Sequence, residues 1–161
     1  MKLCNKKYQQ ELAALLSKYT LKIEYVDQHK DIPGSWFGDQ EAGLINNTLY
    51  IREDTPIHSA LHESCHFICM DSQRRDALDT DAGGDYDEEN GVCYLQILLA
   101  ERLCFSSSEE QMKDMDDWGY TFRLGSCKAW FENDAQDARL WLIDHGLIDE
   151  KNSPLFTLRG N

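Results

Sequence analysis

The period of the apolar positions changes several times along the chain, and each change predicts an element. Between residues 5 and 19, Tyr8, Leu12, Leu15, Leu16 and Tyr19 recur at helical spacing and predict a first amphipathic helix. Leu21 to Val26 sets Leu21, Ile23 and Tyr25 against Lys22 and Glu24, the alternation of a strand. Asp31 to Gly43 places Pro33, Gly34, Gly38 and Gly43 around Trp36 and Phe37 and predicts an irregular connection. Gly43 to Arg52 then holds β-formers around Asn46 and Asn47, either two short strands joined by a two-residue turn or one longer strand with a bulge.

Thr55-Pro56 predicts a helix start, since Thr caps free amides and Pro at the first helical position gives up a donor that has no partner there. That helix should run to about Met70. Val92 to Leu103 is dense in Leu and Ile and predicts a buried helix beginning near Asp87. Ser106 to Ser108 before Glu109 and Glu110 predict a capped short helix ending near Gly119. Ser126 to His145 predicts a last helix stopped by Gly146. The expected fold class is α+β, mostly helical, with a small antiparallel sheet near the N-terminus, in one domain over residues 1–161.

Composition narrows the function. Sixteen basic against twenty-nine acidic residues leave a net charge of −13, which excludes the basic face that nucleic-acid binding needs. No window approaches eighteen consecutive apolar residues, so no membrane helix is expected. Met1 to Leu15 carries Lys6, Lys7, Gln9, Gln10 and Glu11 where a signal peptide would be apolar, so a cytoplasmic location is expected. The six cysteines, Cys4, Cys65, Cys69, Cys93, Cys104 and Cys127, are then expected to stay reduced, with Cys65 and Cys69 as fillers on a buried helix face. Acid is concentrated between Asp71 and Asn90, where Asp71, Asp76, Asp79, Asp81, Asp85, Asp87, Glu88 and Glu89 face only Arg74 and Arg75. This is a solvated loop or a cation-binding segment. Asp79 to Asp87 resembles part of an EF-hand loop, with Gly84 at the sharp turn, but Gly83 occupies a ligand position and Asn90 replaces the final Glu.

The chemistry is concentrated in His62-Glu63-Ser64-Cys65-His66, an HExxH motif. Residues four apart on a helix differ by about 40° in direction and roughly 6 Å along the axis, so both imidazoles can grip one ion from one face. Glu63 then stands beside that ion and can take a proton from its bound water. Ile57, Leu61, Ser64, Cys65 and Ile68 supply the opposite stripe, which turns toward the core.

The motif on a capped helix, after a strand-like segment and before an acid-rich entry into a second buried helix, resembles the minimal gluzincin metallopeptidases, the IrrE-like proteases. The resemblance covers about Gly43 to Leu103. It implies His62 and His66 as zinc ligands, Glu63 as general base, an HExxH helix packed on a second buried helix, and a glutamate at the start of that helix as third ligand. Glu89 corresponds best to that glutamate, and helix phase agrees. Glu88 shares a stripe with Val92, Leu95 and Leu99, whereas Glu89 lines up with the more polar Cys93 and Gln96. The resemblance also implies that the strand around Thr48 to Arg52 binds an extended peptide by edge pairing. A second resemblance, to elongation factor P hydroxylases, rests on Leu61 to Phe67 with the same acidic stretch. It implies Fe²⁺ in place of Zn²⁺, because two His and one carboxylate suit both ions.

Three other residues are candidates. His58, one turn before His62, shares its face and is expected as a polar residue at the cleft rim, the alternative being a role in orienting substrate. In Asp116 to Ser126, Trp118, Tyr120 and Phe122 either pack the loop on the core or wall the cleft. In the second case Tyr120 donates to a developing oxyanion and Arg123 holds a substrate carboxylate or carbonyl. The expected function is zinc-dependent hydrolysis of a peptide or protein substrate. The alternatives are iron-dependent hydroxylation of a protein side chain, or a non-enzymatic acidic protein that binds a basic partner through Asp71 to Asn90. The sequence carries no signal for an oligomeric state.

Overall fold

In the computed structural model, which describes residues 1–36 and 38–161, the chain runs α1 (Lys6–Ser17), β1 (Lys22–Tyr25), β2 (Gly43–Ile45), β3 (Thr48–Ile51), α2 (Ile57–Cys69), α3 (Ser72–Asp76), α4 (Tyr86–Ala100), α5 (Ser108–Trp118), a 3₁₀ turn at Arg123–Gly125, α6 (Cys127–Asn133) and α7 (Gln136–Asp144). Phe37, in the irregular connection, lies outside the described residues. The architecture is α+β, with a small sheet near the N-terminus and helices making up the rest. No helix among the described residues is long and apolar enough to cross a membrane.

The sheet is mixed and not antiparallel throughout. Asn46 takes a φ of +51°, a left-handed conformation that Asn tolerates, and the Asn46-Asn47 turn folds β2 antiparallel onto β3 with Leu44 opposite Leu49. β1 joins the other side of β3 in parallel, with Lys22 opposite Thr48 and Tyr25 opposite Ile51. The long connection from β1 to β2 lets the chain enter on that side, while the outer side of β2 is taken by residues 78–80. There Asn46 N donates to Leu78 O at 2.8 Å and Thr80 N to Leu44 O at 2.9 Å. β3 is therefore the central strand, with a neighbour on each side. Its hydrogen-bonding groups are used within the sheet, so the edge pairing expected of Thr48–Arg52 has no free edge. Leu49 and Ile51 face inward and are fully buried.

α2 is the hub. It packs against β2 and β3 on one side and α4 and α5 on others. Its start differs from expectation: Pro56 is the N-cap, and the Thr55 hydroxyl accepts from Arg52 N at 2.9 Å, closing a turn before the helix. The N-terminal segment serves the helix end instead, as Ile57 N donates to Lys2 O at 3.0 Å. Only His62 and Glu63 on α2 are partly open; every other residue from Ile57 to Cys69 is buried. This is a core helix with a single window and not a helix with one solvated face.

α4 starts one residue before the expected Asp87, with Asp85 as cap accepting from Glu88 N at 2.9 Å. Gly91, an unfavourable residue for a helix, is explained by α7: a Cβ there would lie 2.7 Å from Trp141 Cε3. Residues 126–145 form two helices, because the chain breaks at Asp134 and Ala135, next to the weak helix former Asn133. The bend lets Trp130 of α6 and Ala138 and Leu142 of α7 all reach the core. From there the C-terminal segment returns to the end of α2, where Arg159 N donates to Ile68 O at 3.0 Å and Ser72 N to Gly160 O at 2.7 Å.

Candidate metal centre

The window in α2 faces the first turn of α4. His62 Nε2 and His66 Nε2 lie 3.2 Å apart, one turn separating their backbones. Glu89 places one carboxylate oxygen 3.2 Å from His62 Nε2 and the other 3.3 Å from His66 Nε2. One donor atom from each of the three residues falls within a 4.8 Å span. Four donors held tetrahedrally about 2.0–2.1 Å from a zinc ion are separated from one another by roughly 3.3 Å. The 3.2 Å between the two imidazole nitrogens matches one edge of such a site, the Glu89 carboxylate spans the pair with one oxygen near each nitrogen, and the donor set, two imidazoles and a carboxylate, fits zinc or ferrous iron.

Beside them opens a cleft of about 190 Å³ lined by Trp36, Glu63, His66, Glu89 and residues 80–83. Glu63 thus stands at the cluster without being part of it. Burial, reinforced by the charges of Glu89 and Glu41 and opposed by His62, pushes its carboxyl up to about 7. A carboxylate poised there can both take and return a proton near neutrality.

One residue that the sequence marked only as part of a polar stripe organises the cluster. Gln96 is fully buried; its Nε2 donates to His58 O at 3.0 Å, and its Oε1 lies 2.8 Å from His62 Nδ1. A backbone carbonyl only accepts, so the amide nitrogen must face it and the amide oxygen must face the imidazole. His62 Nδ1 is then the donor, and Nε2 is the atom turned toward Glu89 and His66. Burial opposes a second proton on His62, but Tyr120, Cys93 and Glu89 around it outweigh that and raise its pKa well above the usual value. Burial and the His62 charge push His66 down to about 4. Burial would raise Glu89, yet the hydrogen bond from His62 and the charges of His66 and His62 hold it below the usual carboxylate range. Without a cation, the cluster keeps its proton on His62.

The remaining candidates divide. Tyr120 is half-buried and stands edge-on to His62, ring centroids 5.3 Å apart. Burial pushes its hydroxyl up to about 12, so it keeps its proton and remains a donor, 3.4 Å from His58 Nδ1. His58 is not at a cleft rim: it is 1% exposed, covered by Trp118 and Tyr120, because the loop after α5 lies over that end of the α2 face. Arg123 is not among the residues that line the cleft beside the cluster. Its Nε pairs with Asp134 Oδ2 at 3.0 Å, and it lines a separate small groove with Tyr86, Asp87, Asn90 and Trp130. The left-handed backbone at Leu124 and Gly125 turns the chain there, into α6. Much of the acidic segment has internal work: Asp71 caps α3, Asp85 caps α4, Glu88 is buried between two arginines and Glu89 is in the cluster. That leaves less free charge for a basic partner than the sequence suggests. The start of α4 at Tyr86 also removes the loop geometry of an EF-hand.

Comparison of the chain with family models, curated proteins and solved structures gave no match in any of the three.

Proposed function

We propose that the protein is a metal-dependent hydrolase of metallopeptidase type, with His62, His66 and Glu89 holding Zn²⁺ and a peptide or protein as substrate. The observation that supports this most directly is the set of separations of 3.2, 3.2 and 3.3 Å among two imidazole nitrogens and one carboxylate. Bound there, the ion would supply Lewis acidity toward a carbonyl and lower the pKa of a water. Glu63 takes the proton as the water attacks and passes it to the leaving amine, which its pKa of about 7 allows. Gln96 orients His62, and Tyr120, still protonated, is the nearest candidate donor to a developing oxyanion. A reducing compartment such as the cytoplasm suits the six free cysteines.

Fe²⁺ and side-chain hydroxylation form the second reading, because the three ligands are common to both; the position and pKa of Glu63 favour hydrolysis. Metal analysis of protein purified without chelators, followed by peptide-cleavage and oxygen-uptake assays, tests both. About one transition metal per chain with peptide cleavage is expected. Oxygen uptake with Fe²⁺ and no cleavage would replace hydrolysis by hydroxylation. Metal-free protein whose thermal stability ignores added Zn²⁺ and Fe²⁺ would overturn the site.

A further inference from the structure

Glu88 and Glu89 are adjacent, yet their carboxylates serve different centres. Glu88 is 3% exposed, and its Oε1 accepts from Arg74 Nη2 at 2.5 Å and from Arg159 Nη1 at 2.8 Å. A carboxylate so deeply buried is tolerated only when paired, and here both partners are themselves held. Arg74 is fixed by Asp71, with Nε 3.0 Å from Oδ2 and the backbone N 2.9 Å from Oδ1, and its Nη1 reaches Ala82 O, in the wall of the cleft, at 3.4 Å. Arg159 arrives from the C-terminal segment. Its Nη1 also donates to Cys69 O at 3.2 Å, its carbonyl accepts from Arg75 Nη2 at 2.8 Å, and its guanidinium lies over the Trp141 ring, 5.3 Å from the centroid. Trp141 is the ring that packs on Gly91, one turn further along α4. Gly84 leaves the space Glu88 needs, since a Cβ there would run into its Oε2.

Successive residues on a helix are rotated by about 100°, so anchoring Glu88 sets the direction in which Glu89 leaves the same turn. From Val92 onward α4 is held by the core, whereas in its first turn Tyr86, Asp87 and Glu89 are exposed and Glu88 alone is buried. We propose that Glu88, gripped by Arg74 and Arg159, is a positioning residue that fixes the first turn of α4 and thereby places the third metal ligand, so that metal affinity depends on a side chain from the C-terminal segment. This rests on the metal reading of the cluster. The same grip, through Arg74 and Ala82, holds the cleft wall in register with the ligands.

The test is a titration of the full chain with Co²⁺, read by its visible absorption, and with Zn²⁺ by chelator competition, at a temperature where circular dichroism shows every variant folded. Glu88→Gln and Arg159→Met, the second keeping an unbranched side chain without its charge, should bind at least tenfold more weakly, with a shifted or weakened Co²⁺ band. Arg159→Lys, which restores the cation, should recover part of the affinity and the wild-type band. Variants that melt earlier but keep wild-type affinity and spectrum would reduce the clamp to a stabilising ion pair and overturn the inference alone. A wild-type chain that binds neither ion would overturn the metal reading and the inference with it.

Discussion

His62 and Gln96 are joined across two helices by a contact of 2.8 Å between Nδ1 and Oε1, and the second bond of Gln96, to His58 O, determines which way its amide points. A side chain that leaves α4 thus chooses the tautomer of an imidazole on α2. If that choice matters for coordination, Gln96→Leu should weaken Zn²⁺ binding by roughly 10- to 100-fold, and Gln96→Glu, which keeps an acceptor, should weaken it less. Chelator competition measures both; equal affinity in the Leu variant would assign Gln96 to packing.

Glu63 lines the cleft but stands outside the three-residue cluster. Glu63→Gln is therefore expected to bind metal as the wild type does, while kcat on a cleaved peptide falls by roughly 10²- to 10⁴-fold. Metal loss comparable with that of His62→Ala would make Glu63 a ligand and not the base.

The raised pKa of His62 predicts a proton linked to binding. A cation entering the cluster must displace the proton that His62 keeps, so about one proton should be released per Zn²⁺ bound at neutral pH. Affinity should then rise by up to roughly tenfold per pH unit as the pH increases toward the raised His62 pKa. Calorimetry in buffers of different ionisation enthalpy reads the count directly, and a value near zero would mean that His62 is already neutral.

His58 makes stability depend on acid in the opposite region. The unfolded chain protonates this residue near 6.5 and the folded chain only near 4, because burial, followed by the charge of His62, opposes it. Between those values the unfolded state binds more protons, so stability is complete above about pH 6.5 and falls as the pH drops toward 4. The part due to His58 is about 2–3 kcal/mol by pH 4.5. Urea unfolding at pH 7.5 and 4.5 in the presence of chelator should show the wild type losing that much more than His58→Leu; equal losses would remove His58 as the cause.

What the sequence determined by itself is local. The four-residue spacing of His62 and His66 on a helix, a serine cap within Ser106 to Ser108 and the helix end at the left-handed Gly119 follow from periodicity and from residues that carry a backbone preference of their own, whereas Asn46-Asn47 marks a turn or a bulge and the fold makes it a hairpin. The phase of α4 was legible in the same way, since Glu88 falls on the stripe of Val92, Leu95 and Leu99 and turns inward. Only the tertiary structure decided which distant groups meet. Nothing near His58 in sequence announces that Trp118 and Tyr120 cover it. Nothing near Arg123 announces Asp134 as its partner, and nothing near Glu88 announces Arg159. The parallel entry of β1 beside β3, which closes the central strand to any peptide, likewise depends on the whole path of the chain. Periodicity reports which face of an element is buried; the partner that buries it is set by long-range packing, where each polar group accepts whichever remote donor the close-packed core brings within reach.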